Sequence, residues 1–240
     1  EHTVGPWDER LQHAGPPSAL IGRALELCEP RDGMVLSRLT FELLGAVPVG
    51  DLEIEAHVVR PGRSVELLEA ELRAGGRAAM LARAWRVTAA PVDRGPIDSP
   101  PPPVPDEQTP LPEHLTWSGY LNAIEWRFPV GSWDRPGPAT AWTRMKHPLV
   151  PDEEPSPLQR VLTVADSASG ISATLDWSDW MFINPELTVH ALRPARGEWI
   201  CMDAATSVAA GGAGLASSVL SDADGPVARG AQSLLVRRAG

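Results

Sequence analysis

Three polar side chains stand where the sequence predicts a buried apolar face. Asp166 follows the apolar stretch LQRVLTVA, where a carboxylate is costly to bury unless it is hydrogen-bonded or functional. Gln232 shares one face of the last predicted strand with Leu234 and Val236, so we expect its amide to point inward. Asn184 comes just before another predicted strand. A carboxylate and two amides supply the hydrogen-bond donors and acceptors that a polar active site needs.

Two of these residues also have an ordinary structural explanation. The helix before Asp166 could simply end there and leave the carboxylate in solvent. Asn184, which is followed by Pro185, fits a common turn. Periodicity alone leaves both explanations open.

The other residues that could carry chemistry form no metal site. Cys28 and Cys201 are far apart in apolar segments and belong to no Cys/His cluster, so we expect neither a disulfide nor bound zinc. Asp176 and Asp179 are of the types that bind cations, but no His or further carboxylate completes a ligand set. His190 lies within a predicted strand, where a structural role is expected.

The composition is that of a globular protein with an acidic surface. Of 240 residues, 43% are hydrophobic and 22% charged, and 31 acidic against 21 basic residues give a net charge of −10. This charge disfavours nucleic acid as a partner. No apolar run is long enough for a transmembrane helix, and the polar N-terminus does not fit a signal peptide. We therefore expect no membrane partner and a cytoplasmic location.

A proline-rich stretch divides the chain. Nine prolines lie between Pro91 and Pro112. Proline fixes φ and has no backbone donor, so this stretch is predicted to be an extended connector and neither helix nor central strand. We expect an N-terminal domain at 1–90, the connector at 91–115 and a C-terminal domain at 116–240.

The two predicted domains show the same order of elements. The first has a helix in GPPSALIGRALELCE and then four strand-like runs between residues 34 and 90. The second has a strand pair between 124 and 150, a helix in PSPLQRVLTVADSASGISATL and four more strands. Residues 39–42 can be laid over 187–190. This order predicts an α+β fold that arose by internal duplication.

The duplication distinguishes the two halves chemically. Under the rough superposition, the counterparts of Asp166, Asn184 and Gln232 lie near three apolar residues of the first half, which are Leu25, Leu36 and Ala82. One half has filled the space that the other lines with polar groups. This pattern is expected of a chain with a single active site.

The chain resembles TesB-type acyl-CoA thioesterases over most of its length. The first half does so in GPPSALIGRALE and HVVRPGRSVELLEAELRAGGRAAMLARAWRV, and the second in ADSASG, NPELTVHALRPARGEWICMDA and ARGAQSLLVRR. The resemblance implies a double hotdog fold, in which two tandem curved antiparallel sheets each wrap a helix. It also implies that Asp166, Asn184 and Gln232 are the catalytic residues.

Two positions depart from the family pattern. Asn184 stands where the family has Thr or a similar polar residue, and an amide can still donate to water or accept from it. The segment Gln12-His13-Ala14-Gly15-Pro16 stands where related chains often have a Gly pair. The exchange at 184 keeps open the alternative of a non-catalytic protein that binds acyl-CoA or acyl groups.

The implied reaction is hydrolysis of an acyl thioester by water that Asp166 activates and the two amides help to hold. It needs no metal and no organic cofactor. The implied partner is acyl-CoA or another acyl thioester, and hotdog sheets often pair edge to edge, which would give homo-oligomers. The sequence has no GxSxG motif, which disfavours an α/β-hydrolase, and Asn184-Pro185 lacks the partner His of hotdog hydratases.

Overall fold

A computed structural model describes residues 1–90, 100–177 and 179–238. The first half consists of one helix and four strands, in the order predicted. They are α1 (Gly15–Leu27), β1 (Met34–Leu43), β2 (Leu52–Arg60), β3 (Val65–Ala74) and β4 (Arg77–Thr88). Two prolines in the first turn of α1 favour its start, because their fixed φ suits a helix and the missing N–H has no partner there.

The second half begins with a 3-10 helix at Glu113–Leu115. Its other elements are α2 (Gly119–Ala123), β5 (Ile124–Ser132), β6 (Arg135–Met145), α3 (Pro157–Ala165), α4 (Ala168–Ile171), β7 (Trp180–Ile183), β8 (Glu186–Ala191), β9 (Trp199–Val208), β10 (Ala213–Asp222) and β11 (Gly225–Arg238).

Besides the 3-10 helix at Glu113–Leu115, which was not predicted, the second half differs from the prediction in three elements. The long helix predicted between residues 155 and 175 is broken into α3 and α4, because α3 ends at Ala165 and Asp166 forms its C-terminal cap. The short helix α2 and the four-residue strand β7 were not predicted. Both are too short to show a periodic pattern of apolar residues.

The strands form one eleven-stranded antiparallel sheet within the described part of the chain. Its order is β2-β3-β4-β1-β8-β11-β10-β9-β6-β5, with β7 paired to β11. The two halves meet at the pairing of β1 with β8, where Leu39 is opposite Val189. The order β1-β4-β3-β2 is repeated as β8-β11-β10-β9, which confirms the duplicated order and the α+β double hotdog fold.

Helices α1 and α3 pack against each other in opposite directions inside the two curved sheets. The first glycine of α1 makes the closest approach, since a Cβ on Gly15 would lie 2.1 Å from the carbonyl oxygen of Thr163. A Cβ on Gly22, two turns along, would lie 2.3 Å from Cδ1 of Leu162. The N-terminus of α1 is therefore held beside the C-terminus of α3.

A buried ion pair fixes the opposite end of α1. Arg86 of β4 pairs with Glu66 of β3, and each side chain is only 4% exposed. The same guanidinium donates to the carbonyl oxygens of Cys28 (2.9 Å) and Glu29 (2.9 Å), which follow the last turn of the helix. Arg86 thereby satisfies carbonyl groups that a helix leaves without partners at its end.

The predicted connector is described from residue 100 onwards. Residues 100–112 form neither helix nor strand, whereas 91–99 lie outside the described residues. Among the helices of the described residues, none is long and apolar enough to cross a membrane.

Candidate active site

The structure brings Asp166, Asn184 and Gln232 into direct contact. Oδ1 of Asp166 accepts hydrogen bonds from Nδ2 of Asn184 at 2.7 Å and from Nε2 of Gln232 at 2.9 Å. Nε2 of Gln232 also donates to the backbone carbonyl of Asp166 at 3.1 Å. The carboxylate is not in solvent, because Asp166 is only 7% exposed. Helix α3 does end just before Asp166, but the carboxylate is part of a buried polar centre.

Strand β11 brings the two amides to the carboxylate. Gln232 lies on its inner face with Leu234 and Val236, and all three are buried, as the alternation predicted. β11 pairs with both β7 and β8, and Asn184 lies in the short link between those two strands. The backbone N–H of Ser169 donates to Oε1 of Gln232 at 3.3 Å, so the amide presents its NH2 group to Asp166.

A fourth residue, His13, completes the polar centre and was not predicted as part of it. Its Nδ1 lies 3.5 Å from Oδ2 of Asp166 and accepts a hydrogen bond from the backbone N–H of Gly15 at 3.1 Å. Burial lowers the pKa of His13, while the negative charge of Asp166 acts in the opposite direction. The sequence signal was indirect: His13 lies in the segment that departs from the family pattern.

The ring of His13 stacks on Tyr120 of α2, with centroids 3.8 Å apart and planes inclined by 5°. The Tyr120 hydroxyl donates to the carbonyl of Thr163 at 3.0 Å and is 2.7 Å from Oγ of Ser167. Burial raises the pKa of Tyr120, which therefore stays a neutral phenol. Tyr120 thus connects His13 to the residues on either side of Asp166.

An apolar cavity lies further along the inner face of β11. It has a volume of about 500 Å³, and its lining includes Leu175, Trp180, Val208 and Val236. From Gln232 to Val236 the strand advances by about 13 Å, at roughly 3.3 Å per residue. Trp180 lies at this cavity, whereas Trp177 stacks on Trp7 with centroids 4.6 Å apart.

The remaining candidates lie apart from this centre. His190 is exposed on β8. Leu25, Leu36 and Ala82, the apolar residues near the counterparts of the site in the first half, are buried in the core. Within 1–90, 100–177 and 179–238, no group of three or more His, Cys, Asp or Glu side chains could hold a metal ion.

Comparison with protein families gave two matches that together cover most of the chain. A model described as the acyl-CoA thioesterase N-terminal domain matches residues 3–87. One described as the acyl-CoA thioesterase C-terminal domain matches residues 96–236. Comparison with curated proteins gave no match.

Solved structures share the fold at low sequence identity. A protein from Novosphingobium aromaticivorans, provisionally described as a thioesterase, is 22% identical with a TM-score of 0.74, over 97% of this chain and 90% of the other. The acyl-CoA thioesterase II TesB2 from Mycobacterium marinum is 16% identical with a TM-score of 0.69, over 92% and 88%. The tesB protein from Mycobacterium avium subspecies paratuberculosis is 16% identical with a TM-score of 0.71, over 98% and 91%.

Proposed function

The chain belongs to the acyl-CoA thioesterase family, and from this premise we propose that it hydrolyses acyl-CoA to the free acid and coenzyme A with Asp166, Asn184 and Gln232 as catalytic residues. The observation that carries the assignment of the site is the convergence of two amides on one buried carboxylate. Side chains from three separate elements meet there, and a carboxylate whose rotation is fixed is suited to orient a water molecule.

The reaction needs a base and a held water molecule. Asp166 takes a proton from the water, the water oxygen attacks the thioester carbonyl carbon, and the carbon–sulfur bond breaks. The proton then passes to the departing thiolate, which leaves as the free thiol. The NH2 group of Asn184 carries two hydrogens, so it can donate to Asp166 and to water at the same time. Gln232, on β11, holds the carboxylate of Asp166 through its own hydrogen bond.

The apolar cavity on the inner face of β11 is the candidate binding site for the acyl group. An acyl group in this cavity would contact Leu175, Trp180 and Val236, and its thioester end would have to reach back along β11 to Gln232. The span of about 13 Å, at roughly 3.3 Å per residue, suits a chain of medium length. Replacing Trp180 or Val236 should therefore change the preferred acyl length more than the rate with the best substrate.

Release of free thiol from a panel of acyl-CoAs, from short to long and including an aryl group, tests this function. The Asp166→Asn variant should lose about 10²- to 10⁴-fold in kcat, which is the usual contribution of general-base catalysis. Asp134→Asn is a matched control, because it makes the same chemical change in an exposed hairpin turn. If the wild-type protein binds acyl-CoA but releases no thiol at any length, the non-catalytic alternative is correct.

Three further expectations stay predictions. They are the domain limits at 1–90, 91–115 and 116–240, a cytoplasmic location, and assembly into homo-oligomers through sheet edges. Acyl-carrier-protein thioesters belong in the same assay panel, because the apolar lining of the cavity suits the acyl group, which both kinds of substrate share.

A further inference from the structure

We infer that His13 is a positioning residue for Asp166: its Nδ1 faces Oδ2 and accepts a hydrogen bond from the carboxyl group once Asp166 has taken the proton of the attacking water. This inference rests on the proposed function. It assigns a role in the reaction to the N-terminal half of the chain, which contributes none of Asp166, Asn184 and Gln232.

The hydrogen bond from Gly15 determines which nitrogen of His13 carries a proton. Because the backbone N–H of Gly15 donates to Nδ1, that nitrogen presents its lone pair, and the hydrogen of the neutral ring is on Nε2. The same Nδ1 lies 3.5 Å from Oδ2 of Asp166. Two acceptors therefore face each other while the carboxylate is ionised.

When Oδ2 of Asp166 carries a proton, it can form a hydrogen bond with Nδ1 of His13 in place of the repulsion between two acceptors. The two amides already hold Oδ1, so Oδ2 is the oxygen towards which a new proton is best directed. Oδ2–H can then donate to Nδ1 once the gap of 3.5 Å closes to about 2.8 Å, and the bond from Gly15 weakens because Nδ1 has a single lone pair. The proton is returned to the thiolate when the carbon–sulfur bond breaks. His13 thus stabilises protonated Asp166, which forms only during the reaction. A hydrogen bond made only at that stage raises the rate of the chemical step.

The surroundings hold the imidazole in the orientation that this role needs. The His13 side chain is only 11% exposed, and its ring lies parallel to Tyr120. Tyr120 is in turn bonded to the carbonyl of Thr163 and to the hydroxyl of Ser167. The stacking on Tyr120 therefore limits rotation of the imidazole away from Asp166.

Three variants separate this positioning role of His13 from a purely structural one. His13→Phe keeps a ring that can stack on Tyr120 but has no nitrogen acceptor. His13→Asn loses the ring but keeps an acceptor, because its Oδ1 occupies nearly the position of Nδ1. His13→Leu has the shape of the Asn variant without the acceptor, so the Asn and Leu variants form an isosteric pair.

We expect kcat to fall by about 10- to 100-fold in the Phe and Leu variants, as for a misplaced catalytic group, with KM changed by less than about threefold. His13→Asn should be clearly faster than both. In the Asp166→Asn background the Phe exchange should have little further effect, because His13 acts through Asp166. Far-ultraviolet circular dichroism and urea unfolding check that each variant is folded. If the Phe variant does not fold, the comparison of the Asn and Leu variants decides between the two roles of His13.

Two results would overturn parts of this reasoning separately. A Phe variant as fast as the wild type, or a Leu variant as fast as the Asn variant, would show that His13 serves packing only and would leave the proposed function intact. A folded wild-type protein that releases no thiol from any acyl-CoA would remove the proposed function and the role of His13 with it.

Discussion

The contact between α1 and α3 gives a quantitative prediction for a residue that performs no chemistry. In Gly15→Ala the new Cβ would lie 2.1 Å from the backbone carbonyl oxygen of Thr163, and backbone cannot rotate away as a side chain can. The helices must separate by about 1 Å to reach an allowed distance. This movement carries His13 away from Asp166. A misplacement of about 1 Å can cost about 10²-fold in rate, so we expect kcat to fall by about that factor.

Steady-state thiol release gives kcat and KM, and urea unfolding gives the stability of the variant. Gly22→Ala is the matched control, because it adds the same methyl group to the same helix. There the new Cβ meets Cδ1 of Leu162 at 2.3 Å, which is the mobile end of a side chain. Both variants should lose about 1–3 kcal/mol of stability through overpacking. If folded Gly15→Ala keeps kcat within about threefold of Gly22→Ala, the helix contact does not position the site.

Two further predictions concern stability. Arg86→Met leaves the buried carboxylate of Glu66 with only the longer contact to half-exposed Arg31 (3.4 Å) and should lower the free energy of unfolding by about 3 kcal/mol in urea. Arg83→Met, at the exposed pair with Glu69, should cost about 1 kcal/mol or less. Burial lowers the pKa of His13 from 6.5, so below about pH 6.5 the unfolded chain takes up a proton that the folded chain does not. The free energy of unfolding should fall with pH there, and more steeply in the wild type than in His13→Asn; equal slopes in urea titrations would contradict the burial of a neutral imidazole.

The spacing of apolar residues, with a helical period in helices and alternation in strands, was enough to predict the duplicated elements. The apolar positions of GPPSALIGRALELCE predicted α1, and the alternation through Leu234 and Val236 placed Gln232 on the inner face of β11. Both depend on neighbours within a few residues. The family resemblance supplied the double hotdog fold and the three candidate site residues, and the hydrogen bonds of both amides to Asp166 are in keeping with that candidate site.

Features set by distant contacts could not be predicted. The break after Ala165 follows from the burial of Asp166 against strands that come much later in the chain, because a local pattern of apolar residues would let the helix continue to Ile171. The pairing of β1 with β8 joins the two halves, and a superposition of similar segments cannot show that they are adjacent in space. His13 lies in no periodic element, so its contact with Asp166 appears only in the folded chain.

The antiparallel helices explain why a duplicated chain can have one active site. Each helix end lies beside the start of the other helix, so the fold creates two similar places. At one, Asp166 meets Asn184 and Gln232, which come from the sheet. At the other, Glu26 in the last turn of α1 accepts hydrogen bonds from Ser156 (2.8 and 2.9 Å) and Gln159 (2.9 Å), which begin α3.

The difference between the two places lies in where the donors come from. Ser156 and Gln159 belong to the partner helix, so their bonds to Glu26 tie the two helices together. Leu36 and Ala82, which the superposition sets near Asn184 and Gln232, are buried and apolar, so their side chains offer no hydrogen bond to a water molecule. At the other end Gln232 belongs to β11 and Asn184 to the link between β7 and β8, and the lining of the apolar cavity includes Val236 of β11. That end combines a buried carboxylate with two side-chain amides and with an apolar cavity on the same strand, which is why we propose hydrolysis there.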